Sequence, residues 1–196
     1  KKHLFKDKIF KSHMKNLEPL DLKKSGNVYN ELVKNIVYQQ ISYKAADTIY
    51  GRLCVLLGSE KHKPAALINQ EHLAIRSVGL SNQKAEYVKN IAHFFIEKKL
   101  YHCDWDQYLD DDIIKLLTEI KGVGTWTVKM ILLFELNRPD VFPFKDLAIQ
   151  QSIKELYNIK TEKKAMIQEI QKIAEAWQPF RSLATLYLWS WKRVNS

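Results

Sequence analysis

Residues 117–127 read LTEIKGVGTWT, a run in which glycines two positions apart separate two segments of helical periodicity. Apolar residues recur at three- and four-residue spacing from 113 to 120, which predicts a helix that ends at Gly122. A second helix is predicted over about 125–136. Glycine accepts positive φ angles and leaves the backbone bare, as a tight turn requires. The run therefore predicts a helix–hairpin–helix over residues 112–136.

The same helical spacing continues on both sides of this run. It predicts one helix or two near 29–57 and single helices over 82–98, 146–158, 162–177 and 180–193. The candidate core residues of the last segments are Ala174, Leu183, Leu186, Tyr187 and Trp189. Glycine and proline are scarce, at six and five residues, and no long segment alternates at period two. The fold class is therefore predicted to be all-α, with long helices joined by short turns.

The composition indicates a basic globular protein. The 196 residues include 31 Lys and Arg against 22 Asp and Glu, a formal net charge of +9. Residues 1–24 alone contain eight lysines against three acidic residues. A positive excess of this size favours a polyanionic partner such as nucleic acid or an anionic membrane surface. A solvated basic face without a partner fits the charge equally well, so the net charge alone does not distinguish the two interpretations.

The same composition argues against metal and disulfide chemistry. Two cysteines, Cys54 and Cys103, cannot supply a disulfide framework, a four-cysteine zinc site or a four-cysteine iron–sulfur cluster. The six histidines lack metal-ligand spacing, so no cofactor and no catalytic metal is predicted. No apolar run approaches the roughly 20 residues of a membrane span, and the lysine-rich start lacks the apolar core of a signal peptide. We therefore expect an intracellular protein that does not cross a membrane.

The hairpin turn suits a phosphate backbone. Its glycines allow a phosphate to approach the main chain, and the N–H groups that open the second helix attract an anion. The residues predicted to hold a DNA strand, without reading its sequence, are Lys121, Gly122, Val123, Gly124 and Thr125. The alternative is a plain linker between helices, because Gly-x-Gly is common at helix ends. The hairpin alone leaves both interpretations open.

An aspartate follows the second helix in a context that favours helix capping. Residues 138–150 read RPDVFPFKDLAIQ, and Asp146 falls at or beside the first position of the next predicted helix. Aspartate is a favoured N-cap because its side chain accepts a hydrogen bond from a backbone N–H group of the first turn. Most such residues only cap, and on these residues alone the structural role is the better interpretation.

Taken together, these segments resemble the helix-hairpin-helix DNA glycosylases, and within them the 3-methyladenine DNA glycosylase II type. The resemblance rests on the Gly122-Val123-Gly124 hairpin followed, one helix later, by Val141-Phe142-Pro143 and Asp146-Leu147. Further agreement comes from Tyr38-Gln39-Gln40-Ile41-Ser42 with Ala45-Ala46, from Gly79-Leu80-Ser81 with Lys84 and Tyr87, and from Trp177-Gln178-Pro179-Phe180-Arg181-Ser182 running to Trp189. These segments span about residues 30–190 in the family's order.

The resemblance implies a two-lobed all-α fold with the active-site cleft between the lobes. One lobe would cover about residues 28–137 and the other about 1–27 with 138–196, and the N-terminal β-rich domain of some bacterial relatives is not expected. The implied partner is double-stranded DNA that contains a damaged base, bound by a monomer. The implied reaction flips an alkylated purine out of the duplex and hydrolyses its N-glycosidic bond.

The resemblance also assigns roles in the site. Asp146 falls at the position of the family's catalytic aspartate, where a carboxylate beneath C1′ stabilises the positive charge that grows on the sugar. Trp126 and Trp189 fall at base-pocket positions, where indole faces attract a cationic base. For Trp189 a plain core role remains the alternative. Met130 falls in the pocket where a relative carries an aromatic ring, which leaves the substrate preference open.

The remaining implied roles concern the duplex. Extruding a base costs a few kcal/mol of stacking, and a wedge has to fill the gap. Gln40 falls at the inserting position, beside Gln39, and an exposed helix-end glutamine is an equal alternative. The hairpin carbonyls of Thr118, Ile120 and Val123 form a candidate site for a monovalent cation.

Two other functions stay open on the sequence. Some relatives also cut the backbone with a lysine just after the Gly-x-Gly-x turn, but this chain has Trp126 there, which favours a monofunctional enzyme. A bifunctional glycosylase/lyase for oxidised bases remains one alternative. The other is a helix-hairpin-helix module that grips DNA without catalysis, although such a module has no use for Asp146, Trp126 and Trp189 together.

Overall fold

The computed structural model describes residues 1–21 and 26–195, and every regular element within these residues is helical. In chain order the α-helices are α1 (Lys8–Met14), α2 (Val28–Tyr38), α3 (Tyr43–Leu57), α4 (Pro64–Ile68), α5 (His72–Ser77), α6 (Asn82–Glu97), α7 (Asp110–Thr118), α8 (Thr125–Met130), α9 (Leu147–Leu156), α10 (Lys163–Glu175) and α11 (Arg181–Val194). The all-α prediction is confirmed. Of the eight lysines in the basic start, Lys23 and Lys24 lie outside the described residues.

The chain divides into two compact units. We call residues 26–136 the hairpin unit and residues 1–21 with 137–195 the terminal unit. The hairpin unit contains α2 to α8, and the terminal unit contains α1 and α9 to α11.

The core of the terminal unit surrounds Trp177, which is fully buried. Phe10 from α1 and Phe142 from the loop before α9 pack near its ring, at centroid distances of 5.2 and 6.0 Å. Asp7 caps α1 through the Phe10 N–H group and also accepts hydrogen bonds from the Tyr157 hydroxyl (2.5 Å) and Trp177 Nε1 (3.3 Å). The first helix is therefore an integral part of this core.

The core of the hairpin unit lies between α2, α6 and α4. Leu32, Val33 and Ile36 on α2 are fully buried, as are Val88 and Ile91 on α6. These residues recur at the spacing of one helix face, so each helix contributes an apolar stripe to the core.

Side-chain caps set the start of the longer helices. Asn27, Ser42, Ser81 and Asp146 each accept a hydrogen bond from the backbone N–H group three residues later, at the starts of α2, α3, α6 and α9. Such caps satisfy donors that have no acceptor within the helix. The predicted 29–57 segment is consequently two helices, with the second beginning after Ser42.

Two predicted boundaries of the helix–hairpin–helix differ from the structure. The helix expected to reach Gly122 ends at Thr118, whose hydroxyl donates back to the Ile114 carbonyl at 2.7 Å. The helix expected over 125–136 is α-helical only to Met130 and continues as a π-helix over Ile131–Glu135.

Three short helices are absent from the sequence prediction. Helices α1, α4 and α5 contain seven, five and six residues, which is too short for a periodic pattern to stand out. Of the predicted core residues, Ala174, Leu186 and Tyr187 are buried, whereas Leu183 and Trp189 are partly buried at the edge of the core.

Candidate active site

Asp146 is held from two directions in the terminal unit. It is the N-cap of α9, and its Oδ1 atom accepts a hydrogen bond from the Ile149 N–H group at 3.0 Å. The indole Nε1 of Trp189, on α11, donates to the same oxygen at 3.2 Å. Both side chains are partly exposed. The structure thus joins two predicted site residues and places a carboxylate at a helix N-terminus, where negative charge is electrostatically favoured.

A second set of contacts fixes the loop that leads to Asp146. The Arg181 guanidinium, at the start of α11, binds the Asp140 carboxylate through Nε (2.8 Å to Oδ1) and Nη2 (2.7 Å to Oδ2). The neighbouring Ser182 hydroxyl accepts a hydrogen bond from the Val141 N–H group at 2.9 Å. A bidentate pair between arginine and a carboxylate is strong and directional. Helix α11 therefore anchors both the approach to the site and, through its indole, the carboxylate itself.

Glycine occupies the two hairpin positions for different structural reasons. Gly122 has a φ of +102°, which L side chains rarely adopt, and a Cβ atom there would lie 2.3 Å from the Tyr87 ring. Gly124 has extended backbone, with φ −97° and ψ 166°, and apart from its two chain neighbours no described residue lies within 4 Å of a Cβ atom built on it. The fold itself requires Gly122, whereas Gly124 leaves open space directly before α8.

The remaining hairpin residues stabilise the turn or face solvent. The exposed Lys121 ammonium pairs with Glu86 Oε1 at 2.6 Å, and this hydrogen bond raises the pKa of Lys121. The Val123 N–H group donates to the Ile120 carbonyl at 2.9 Å, which closes the turn, and the Val123 side chain is buried. The monovalent cation at the hairpin carbonyls stays a prediction.

Helix α8 carries two of the predicted base-pocket residues. Trp126 is 43% exposed, so much of its indole surface is open to a ligand. Met130 follows one turn later and is buried, and Thr125, at the start of the helix, is exposed. Both pocket candidates on α8 belong to the hairpin unit, while Trp189 belongs to the terminal unit.

The predicted wedge residues lie in a turn between α2 and α3. Gln40 is exposed and has a φ of +58°, in the left-handed region. A residue other than glycine costs about 1–3 kcal/mol there, so neighbouring contacts have to hold it. Gln39 is partly buried, and its Nε2 donates to the Thr127 hydroxyl on α8 at 3.5 Å. Of the two glutamines, Gln40 is the more exposed to solvent.

Sequence reasoning gave no role to Lys84, which contacts this turn. Its Nζ donates to the carbonyls of Val37 at 2.8 Å and Gln39 at 2.6 Å, and its burial lowers the pKa of the ammonium. The partners precede it by 47 and 45 residues, so no local pattern could have indicated the contact.

The described part of the chain has neither a candidate metal cluster nor a candidate membrane span. Within residues 1–21 and 26–195, no three His, Cys, Asp or Glu side chains are grouped so that they could hold a metal ion. Cys54 and Cys103 are free thiols. Among the described helices, none combines the length and the hydrophobicity of a membrane span.

Residues 33–179 match a protein family described as HhH-GPD superfamily base excision DNA repair protein. The protein YfjP of Bacillus subtilis is 33% identical over 189 residues, which cover 92% of this chain and 63% of YfjP. The chain therefore spans somewhat less than two thirds of the length of this relative.

Two solved structures resemble this chain over nearly all of its length. The DNA-3-methyladenine glycosidase of Bacillus halodurans has a TM-score of 0.85 at 30% identity, covering 97% of this chain and 87% of that one. The 3-methyladenine DNA glycosylase of Schizosaccharomyces pombe, solved in complex with abasic DNA, has a TM-score of 0.80 at 29% identity, covering 99% and 95%.

Proposed function

This chain belongs to the HhH-GPD superfamily of base excision DNA repair proteins, and we propose that it is a monofunctional DNA glycosylase for alkylated purines of the 3-methyladenine type. The enzyme flips the damaged base out of duplex DNA and hydrolyses its N-glycosidic bond. Asp146 carries this proposal, because the carboxylate at the family's catalytic position is fixed by both a helix N–H group and the Trp189 indole.

The chemistry needs a fixed negative charge beside the sugar. As the bond from C1′ to the base nitrogen breaks, its electron pair leaves with the base and the sugar becomes oxocarbenium-like. The Asp146 carboxylate stabilises that positive charge, and a water oxygen then bonds to C1′ and gives up a proton to solvent. A charge that is already in place costs no reorganisation in the transition state, and such preorganisation is usually the largest catalytic contribution.

The leaving base needs little further assistance. An alkylated purine is electron-poor and often cationic in the nucleoside, so it departs as a neutral base. The exposed indole of Trp126 offers an aromatic face to such a cation. Trp189 also holds the catalytic carboxylate, since its N–H group donates to Asp146. Met130, which is buried, would limit the size of the pocket rather than bind charge.

DNA would be held by the hairpin and opened by the turn after α2. The main chain at Gly122 and Gly124, with Lys121, Val123 and Thr125, grips the phosphates without regard to sequence. Gln40, exposed on its turn, fills the gap that the extruded base leaves. The partner is double-stranded DNA with a damaged base, and the protein acts on it as a monomer in the intracellular compartment that holds the DNA.

The test is the release of bases from methylated duplex DNA. We expect free 3-methyladenine in the product profile and an intact phosphodiester backbone after the reaction. Borohydride should trap no covalent adduct, because Trp126 stands where bifunctional relatives have their lysine. Tight binding of lesion DNA with no base release would instead identify a non-catalytic DNA-binding module, and a trapped adduct would identify a lyase.

A further inference from the structure

Lys84 occupies a position in its own helix where a cation is disfavoured. Ser81 caps α6, so Lys84 is the third residue of the first turn, and that turn contains no acidic residue. The start of a helix carries partial positive charge, and the third position of the first turn favours Glu or Gln. A lysine at this point therefore needs a reason from outside α6.

The reason lies at the end of α2. The Lys84 ammonium donates to the carbonyls of Val37 (2.8 Å) and Gln39 (2.6 Å), which belong to the last turn of α2 and the residue after its end. Carbonyls at a helix C-terminus lack partners within the helix and carry partial negative charge, so a cation stabilises them. The ammonium is partly withdrawn from water, which is why its pKa is lowered.

The second of these carbonyls belongs to Gln39, the residue directly before Gln40. Gln40 itself holds a left-handed φ of +58° while its side chain stays exposed. On the other side of the turn, the Gln39 amide reaches Thr127 on α8. The turn is thus fixed from α6 and α8, and these contacts restrain the backbone that presents Gln40.

We propose that Lys84 is a positioning residue for base extrusion, because its ammonium locks the Gln39–Gln40 turn and so fixes the direction from which Gln40 meets the duplex. This inference rests on the proposed function. It assigns Lys84 no part in breaking the glycosidic bond. Loss of the ammonium should therefore harm reactions that need extrusion and spare those that do not.

The first experiment compares paired and unpaired substrates in single-turnover base release. Lys84→Met keeps a chain as long as the four-carbon stem of lysine and removes the charged ammonium. We expect release from paired duplex to fall about tenfold, the lower end of the value of one charge-assisted hydrogen bond, and release from single-stranded DNA to change less than about twofold. Lys84→Arg, which can still donate to both carbonyls, should restore most of the paired-duplex rate.

A matched control is available two residues after Ser42. Lys44→Met removes the same charge from the same neighbourhood, and its exposed side chain lies on α3 rather than on the turn. The ratio of paired to unpaired rates should not change in this variant. If Lys84→Met lowers both rates equally, or neither, Lys84 does not position the wedge.

The second experiment does not depend on excision. The probe is a duplex with a stable abasic analogue and 2-aminopurine opposite it, whose fluorescence reports disturbance of the stack. At saturating protein, Lys84→Met should lose most of the wild-type signal, as Gln40→Ala does, while Lys44→Met keeps it. A full signal from Lys84→Met, or none from wild type, overturns the inference. A signal that depends on Lys84 in a protein that releases no base would refute only the proposed reaction.

If Lys84→Met proves too unstable to assay, Lys84→Gln replaces it. The amide retains two donors but carries no charge, so the same loss in the paired-to-unpaired ratio is expected on a smaller scale. An unchanged ratio in a folded Lys84→Gln protein counts against the inference in the same way.

Discussion

Replacing Asp146 by asparagine separates the two roles that its position allows. Asp146 Oδ1 accepts hydrogen bonds from the Ile149 N–H group at 3.0 Å and from Trp189 Nε1 at 3.2 Å, and the Oδ1 atom of an asparagine can accept both. Asparagine and aspartate are comparable N-caps, so the free energy of unfolding should change by less than about 0.5 kcal/mol. What the substitution removes is the negative charge.

The loss of that charge should appear almost entirely in the chemical step. Removing one preorganised electrostatic group typically lowers the rate by about 10²–10³-fold, which corresponds to roughly 3–4 kcal/mol of transition-state stabilisation. Binding of lesion DNA should change little, because the ground-state sugar carries no positive charge. A capping aspartate without a catalytic role predicts a nearly unchanged rate instead.

Asp7 provides a matched control in the same unit. It also caps a helix and accepts an indole hydrogen bond, from Trp177, but its Oδ2 atom additionally accepts from the Tyr157 hydroxyl. In Asp7→Asn an amide N–H group that replaces Oδ2 would face the indole donor, so we expect a loss of stability of about 1–3 kcal/mol. The excision rate per folded molecule should stay at the wild-type value.

The assay is single-turnover release of a methylated base with enzyme in excess, at a temperature where all three proteins are folded by their melting curves. The reasoning fails if Asp146→Asn melts like wild type and still excises within a few-fold of the wild-type rate. It also fails if Asp7→Asn loses as much activity per folded molecule as Asp146→Asn, because the effect would then come from disturbing the unit.

Three further predictions concern the hairpin unit. Gly124→Ala should leave the melting temperature unchanged and weaken binding to duplexes of every sequence alike. Gly122→Ala should lower the melting temperature by several degrees, because its Cβ atom meets the Tyr87 ring and its φ is +102°. Melting curves and binding titrations on unrelated duplexes check both, and a Gly124→Ala protein that loses affinity for one sequence alone would contradict the prediction. Gln40→Ala should slow release from paired duplex more than from mismatched or single-stranded DNA, and equal losses on both would remove it from the wedge role. Burial lowers the pKa of His62 from 6.5 to about 4, so between these pH values the unfolded state binds more protons than the folded state. The stability that His62 contributes above pH 6.5 is therefore lost as the pH falls towards 4, by up to about 3 kcal/mol. Urea unfolding at pH 7.5 and 4.5 should show a smaller loss of stability in His62→Gln than in wild type, and equal losses in the two proteins would count against His62 as the cause.

Helical periodicity predicted most of the fold because each long helix buries one continuous stripe. The stripes of α2 and α6 are visible in the sequence, whereas α4 and α5 are too short to show a period. The end of α7 at Thr118 was missed because apolar spacing continues to Ile120, whereas the N–H groups of Glu119 and Ile120 already bond to carbonyls three residues back, at 3.3 Å. Local patterns fix where long helices lie more reliably than where they end.

The candidate site divides along the same line. Asp146 could be placed at a helix start from sequence alone, since capping is a local property. Its bond to Trp189 joins residues 43 positions apart, and the contacts of Lys84 span similar separations. Such contacts arise only when helices pack, so the sequence could assign Trp189 a pocket position but not its hold on the carboxylate.

The terminal unit is assembled from two stretches of chain that flank the whole hairpin unit. During synthesis on the ribosome, α2 to α8 are complete before Asp146, Arg181 and Trp189 have been made. The hairpin unit can therefore begin to fold before the residues that pack against α1 have been synthesised, since domains form as their residues emerge. A nascent chain that stalls near residue 136 contains the glycine hairpin and lacks Asp146, so under the proposed assignment of roles it binds DNA without cleaving a base from it.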